Sequence, residues 1–234
     1  MNSDREIAFP APKNLKPLPR RGILAAGGLK VLRRAAPKGP AEERPLFLEG
    51  LSKVVVWPDA FLAGPALGAP MAVMVLENLI WRGAEEVVFV GLAGSLGPGL
   101  KVGDLFCPSG GFSTEGASAH YPAPLVPDAE LRRRLMEAAG EKDKIADGLI
   151  WSTDGIYRET VEIVERHRAL GAAAVEMECT ALWAAAAFRG VRAASLLVIS
   201  DVLEDEEHRV GFGSPELREG LERAARLAWK VAAG

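Results

Sequence analysis

Ala172-Ala173-Ala174-Val175-Glu176-Met177-Glu178 leads into an almost unbroken apolar run, Cys179 to Phe188, and Ala193 to Ile199 follows before Ser200-Asp201. Ala172 to Val175 is small and apolar. If extended, this segment places Glu176 and Glu178 on one face, because side chains in a strand alternate. Both carboxylates also suit the first turn of the next helix, where the macrodipole favours negative charge. The spacing predicts a helix over 177–189, carrying Trp183 and four successive alanines. Ala193 to Ile199 reads as a buried strand that ends in Ser200-Asp201, where Asp201 is either a strand-end cap or a working carboxylate. A carboxylate at the edge of a core must find donors or hold its proton more tightly. Sites that grip hydroxyls or pass protons are built this way.

Working outward, apolar runs and turns alternate along the whole chain. Arg21 to Ala26 is a short strand, Gly27-Gly28 a turn, and Leu29 to Ala36 a helix start or a turn. Pro37 to Pro45 reads as a loop, and Phe47 to Trp57 as two short strands split by Glu49-Gly50. Pro65 to Trp81 has helical spacing. Glu86 to Leu92 is a buried strand; Val102 to Cys107 is another, introduced by the turn Pro98-Gly99. Asp128 to Ala139 is a helix capped by Asp128, Thr160 to Leu170 is helical, and Ser214 caps a helix from Pro215 to Ala232. This alternation, without internal repeats, implies an α/β fold with a parallel or mixed central sheet. We expect an extended Pro-rich arm over residues 1–20 and one domain over 21–234.

The bulk properties narrow the function classes. The 234 residues suffice for one well-buried core, with 49% apolar and 25% charged residues. The net charge of −3 gives no bias toward nucleic acid or anionic membrane. Arg132-Arg133-Arg134, with Glu130, Glu137 and Glu141, reads as a solvated helix face. Cys107 and Cys179 have no metal-ligand spacing and read as small core residues. No metal site is expected. No apolar run approaches the ~20 residues of a membrane span, and the N-terminus has no apolar signal segment, so the expected compartment is the cytoplasm.

Further segments suggest chemistry. Gly91-Leu92-Ala93-Gly94-Ser95-Leu96-Gly97 follows a strand, but its spacing and the turn after it do not suit a dinucleotide fold. It reads as a tight strand exit where backbone closely approaches a helix or a ligand. Glu115 to Pro122 holds an acid, Ser118, His120 and Tyr121, and is either a binding loop or a surface loop. His167 reads as solvated. Asp154, before Gly155-Ile156-Tyr157, is either a cap or a functional residue.

Taken together, these segments resemble the nucleoside phosphorylases and nucleosidases, a family that includes uridine phosphorylase, the hexameric purine nucleoside phosphorylases and methylthioadenosine nucleosidase. Val175-Glu176-Met177-Glu178 is similar to its ribose-binding signature, Ile199-Ser200-Asp201 to its Ser-Asp strand end, and Val90 to Gly94 with Lys101 to Asp104 to its glycine turn and next strand. Glu115 to Tyr121 is similar to a loop of the uridine phosphorylase branch. The resemblance runs from about Arg21 to the C-terminus. It implies a three-layer α/β/α sandwich around a mixed, partly barrel-like sheet, in a homo-oligomer (dimer or hexamer).

Carried over, the resemblance makes Glu178 and Asp201 catalytic. Glu178 would hold the ribose hydroxyls and favour the cationic sugar at the transition state. Met177 would pack on the sugar, and Asp201 would protonate or hydrogen-bond the leaving base. Glu176, Ile156, Tyr157, Gly91, Ala93, Gly94, Ser200 and His120 would complete the substrate site, with Ile156 where relatives carry Phe. The phosphate site departs from the family. Gly27 fits and Lys30 is a candidate ligand, but Val31 and Phe89 replace two arginines and Leu92 a hydroxyl residue. The implied activity is cleavage of a nucleoside N-glycosidic bond by phosphorolysis, as in nucleotide salvage. Hydrolysis and non-catalytic nucleoside binding are the alternatives. No cofactor is expected beyond inorganic phosphate as a co-substrate, and the expected partner is a small-molecule nucleoside, with no nucleic acid or membrane.

Overall fold

A computed structural model describes residues 16–46, 51–97, 99–140, 143–204 and 207–234. Most of the expected arm, and part of the segment from Phe47, lie outside the described residues. Leu18 is buried and its N–H donates to the Arg82 carbonyl at 2.8 Å, so the chain just before the first strand lies against the body.

In chain order the elements are β1 (Arg21–Ala25), α1 (Leu29–Arg34), β2 (Glu42–Pro45), β3 (Lys53–Val56), β4 (Phe61–Gly64), α2 (Ala69–Trp81), β5 (Glu86–Ser95), β6 (Leu105–Phe106), β7 (Gly110–Ser113) and α3 (Ala129–Ala139). There follow β8 (Ile145–Ala146), β9 (Leu149–Ser152), α4 (Val161–Ala169), β10 (Ala172–Glu176), α5 (Cys179–Phe188), β11 (Arg192–Glu204), β12 (Glu207–Val210) and α6 (Pro215–Ala232). Short 3₁₀ turns occupy Ser118–His120 and Ile156–Arg158. The helix ends follow local chemistry: Asp128, Thr160 and Ser214 each accept the backbone N–H three residues on, from Leu131, Ile163 and Leu217.

The strands form one mixed sheet of 12, with β2-β3-β4-β1-β5-β10-β9-β7 as its main path. β11 pairs in parallel with all of β5, from Arg192 opposite Glu86 to Val202 opposite Ser95, and β12 and β6 pair with β11. One face packs on α2 and α5 through residues such as Leu76, Leu79, Leu182 and Trp183. The other packs on α1, α3 and α6 through Leu32, Leu131, Leu135, Ala228 and Trp229. This is the expected three-layer arrangement.

Two features of the register create a site. β1 follows β5 only as far as Val90, opposite Ala25, and β10 joins the same edge only at Gly94, opposite Val175. Between them β5 has strand partners on its β11 side alone, and the sheet opens. The second feature is a bulge in β11: Ile199 faces Ala93, and Asp201, not Ser200, faces Gly94.

Several expectations need correction. The loop over 37–45 contains β2, and the strand over 102–107 shrinks to β6, because Val102 to Asp104 turns back on itself through a Lys101 carbonyl–Asp104 N–H bond of 2.9 Å. β4, β7, β8 and β12 were not anticipated; β4 and β12 pair with the strands just before them, β3 and β11, while β7 and β8 pair with the more distant β9 and β6. The Arg132-Arg133-Arg134 face is not simply solvated. Arg132 donates to the Cys107 and Pro108 carbonyls, and Arg134 to the buried Glu86 carboxylate at 2.6 Å. Glu141 lies outside the described residues, as does Pro98. His167 is 6% exposed and stacks on Trp151, with ring centroids 3.9 Å apart. Only its place on a polar helix suggested solvation.

Candidate active site

The opening in the sheet leads into a cavity of about 740 Å³. Ala26 and Gly27 line one side, Leu92, Ala93 and Gly94 the floor, and Val175 to Glu178 the other side; Ser200 and Asp201 line it as well. Thus Glu178, Asp201, Glu176, Met177, Ala93, Gly94, Ser200, Gly27, Ile156 and Tyr157 come to one place from remote parts of the chain. Ile156 and Tyr157 are exposed, Tyr157 at 96%. Gly91 does not line the cavity. A side chain there would meet the Phe89 ring at 2.9 Å, so its bareness serves packing.

The two glutamates divide their tasks. Glu176, at the end of β10, is 5% exposed and accepts the N–H groups of Glu178 and Cys179 at 2.7 and 2.8 Å, together with the Ser152 hydroxyl. It caps α5 and satisfies donors that would otherwise be orphaned at the helix start. Burial still raises its proton affinity above the carboxylate norm. Glu178 stands at the N-cap position of α5 and is 3% exposed. Burial, and then the charge of Glu176, push its carboxyl up to about 8. The Gly68 N–H opposes this by donating to Oε1 at 2.5 Å. Gly68 can present that N–H because its φ of 82° is open to glycine. One Glu178 oxygen is therefore fixed by protein, and Met177 lies beside it on the cavity wall.

Asp201 lies over Gly94, where a Cβ would come within 2.9 Å of Oδ2. The Ser200 hydroxyl donates to Oδ1 at 2.6 Å, and His208 Nε2 lies 2.9 Å from Oδ2. The β11 bulge aims the carboxylate here, and the β11–β12 hairpin brings in the histidine.

The sequence reading missed Glu159 and His208, which both line the cavity. Burial, and then the charge of Asp201, push the Glu159 carboxyl up to about 7. The sequence signal for His208 was faint, because Glu204-Asp205-Glu206-Glu207 lacks the glycine of a common hairpin turn. Arg168 also lines the cavity, but its guanidinium is held by the Leu96 and Leu203 carbonyls and by Glu165.

His120 and Lys30 are not brought to the cavity. His120 is exposed, and its loop is folded around Glu115, a buried carboxylate that accepts from Ser113, Ala117, Ser118 and Thr180. Burial works against that charge, but these hydrogen bonds prevail and hold the carboxyl low. Asp154 is not a helix cap; it accepts the Gly116 N–H of this loop at 3.0 Å. Lys30 is exposed and lines a separate cavity of about 200 Å³. Val31 packs on the α6 side of the sheet and Phe89 is buried on the α2 side. Both cysteines are buried, and burial pushes the Cys107 thiol up to about 12. Neither has the character of a nucleophile.

Among the described residues, no group of His, Cys, Asp and Glu could hold a metal ion, and no helix is long and apolar enough to cross a membrane.

The model of the Phosphorylase superfamily matches residues 41–233. A guanosine phosphorylase of Halorubrum lacusprofundi is 29% identical over 177 residues, covering 72% of this chain and 73% of that protein. A DeoD-type purine nucleoside phosphorylase of Bacillus cereus is 30% identical over 145 residues, covering 59% of this chain and only 61% of its own length. Among solved structures, purine nucleoside phosphorylase from Toxoplasma gondii shares the fold with a TM-score of 0.79 at 20% identity, covering 92% of this chain and 91% of that one. AMP nucleosidase from Bacteroides thetaiotaomicron does so with a TM-score of 0.72 at 19% identity, covering 90% and 88%. These relatives and structural neighbours are enzymes. The chain belongs to the Phosphorylase superfamily.

Proposed function

We propose that the protein cleaves the N-glycosidic bond of a nucleoside by phosphorolysis, with Glu178 on the ribose and Asp201 on the leaving base. The observation that carries this reading is one cavity presenting both carboxylates, with Met177 beside Glu178 and bare Gly94 beneath Asp201. Glu178 has one oxygen on Gly68 and accepts the sugar hydroxyls with its remaining lone pairs. Those donors favour its ionised form, whose field stabilises positive charge growing on the sugar. Asp201 donates a proton to the base, so that the bond's electron pair leaves on a neutral product. Inorganic phosphate enters beside Gly27 and attacks the anomeric carbon.

Hydrolysis is the second reading. Arg168 is the only Lys or Arg among the described residues lining the cavity, and its guanidinium is committed to protein acceptors. The lining also includes Ala26, Leu67 and Leu92, which give a phosphate dianion no side-chain donor. A nucleoside panel assayed with and without phosphate separates the readings. Release of base only with phosphate supports phosphorolysis, release regardless of phosphate supports hydrolysis, and no release sinks both. We also keep the homo-oligomer. Leu67, Tyr157 and Phe212 are exposed apolar residues around the cavity, a surface suited to cover by a second copy.

A further inference from the structure

We infer that His208 supplies the proton that Asp201 passes to the leaving base. The inference rests on the proposed glycosidic cleavage. The two Asp201 oxygens have different partners. The Ser200 hydroxyl lies 2.6 Å from Oδ1 and 3.4 Å from the Ala93 carbonyl, and has one proton to share between them. Oδ2, the oxygen over Gly94, faces His208 Nε2 at 2.9 Å. Of these two partners, only the imidazole can give up a proton and take another from solvent. The hairpin dictates the meeting: Asp201 pairs with Val210 and Leu203 with His208, which makes Asp201 and His208 diagonal neighbours on one face. The Asp201 side chain is 16% exposed and the His208 side chain 55%, so His208 joins a sheltered acid to solvent. Glu159, between the second 3₁₀ turn and α4, is a titratable group close to the pair: after burial, the charge of Asp201 raises its carboxyl and that of His208 lowers it.

The proton account closes. The bond from the anomeric carbon to the base nitrogen breaks, and its electron pair stays on the base. A phosphate oxygen forms the new bond to that carbon. One proton moves from the His208 imidazolium to Asp201, one moves from Asp201 to the base, and solvent returns a proton to His208. His208 acts through Asp201 and is a positioning residue.

The test separates proton supply from structure by changing the leaving group. A nucleoside base needs a proton to leave, whereas the 4-nitrophenolate of 4-nitrophenyl riboside does not. His208→Gln keeps a hydrogen-bond donor without an imidazole's protonation chemistry. We expect its kcat on nucleosides to fall on the order of 10²-fold. KM and melting temperature should hold, and the aryl riboside rate should stay within about twofold of wild type. Equal losses on both substrates, or no loss on nucleosides, overturns the inference while leaving the glycosidic reading intact. Wild-type protein that cleaves the aryl riboside but no nucleoside defeats base protonation, and this inference with it. Wild-type protein that cleaves neither defeats the glycosidic reading itself.

Discussion

Replacing Glu178 with Gln should stabilise the protein at alkaline pH while removing its activity. Glu178 is buried beside Glu176, and its carboxyl is pushed from 4.5 up to about 8. The folded state thus binds a proton that the unfolded state releases near 4.5. The associated stability is fully present below pH 4.5 and is lost as pH rises through about 8. At about 1.4 kcal/mol per pH unit, the ceiling of this loss is on the order of 5 kcal/mol. Relaxation and water penetration reduce such costs, so the working expectation is about 2 kcal/mol. Gln keeps an acceptor for the Gly68 N–H and carries no charge to repel Glu176. Urea denaturation at pH 5, 7 and 9 should show the two proteins within about 0.5 kcal/mol at pH 5 and Glu178→Gln ahead by about 2 kcal/mol at pH 9, with equal m-values. Turnover should fall by about two orders of magnitude or more. Parallel pH profiles for the two proteins would refute the reasoning, since they would mean that Glu178 carries no raised proton affinity.

The same carboxyl predicts a linked proton in binding. At pH 7 Glu178 is largely protonated, and sugar hydroxyls favour its ionised form, so nucleoside binding should release a proton; titration calorimetry in buffers of different ionisation enthalpy should detect it in wild type and not in Glu178→Gln. Gly94→Ala places a Cβ 2.9 Å from Asp201 Oδ2 and 3.2 Å from Leu203, and should cut turnover at least about tenfold by displacing Asp201; wild-type kinetics would contradict that placement. Gly103 has φ +88°, and a Cβ there would meet the Glu216 carbonyl oxygen at 2.4 Å. Gly103→Ala should therefore cost about 2 kcal/mol or more, and a melting temperature within a degree of wild type would count against it.

Some of the site was legible because its chemistry is local. Carboxylates set between a small apolar segment and the nearly all-apolar run Cys179 to Phe188 have little reason to be surface residues, and Glu176 and Glu178 were singled out on that ground. The caps Asp128 and Ser214 were equally plain, since each cap bond spans three residues. His167 misled for the complementary reason. Its neighbours in sequence are charged, but its contact in space is Trp151.

The sequence alone determined which groups were available: the buried strands of the centre, the helices with their caps, and the identities of Glu178 and Asp201. Tertiary structure decided what those groups face. Where β1 leaves β5 and β10 joins it, whether Ser200 bulges, and which residue of β12 reaches Asp201 are all matters of strand register. Register is set by pairing between segments far apart in the chain, and a shift of one residue turns every side chain to the opposite face. That is why Glu159 and His208 emerged only once the strands were assembled, and why Val31 and Phe89, read as lost phosphate ligands, proved to be packed on opposite faces of the sheet.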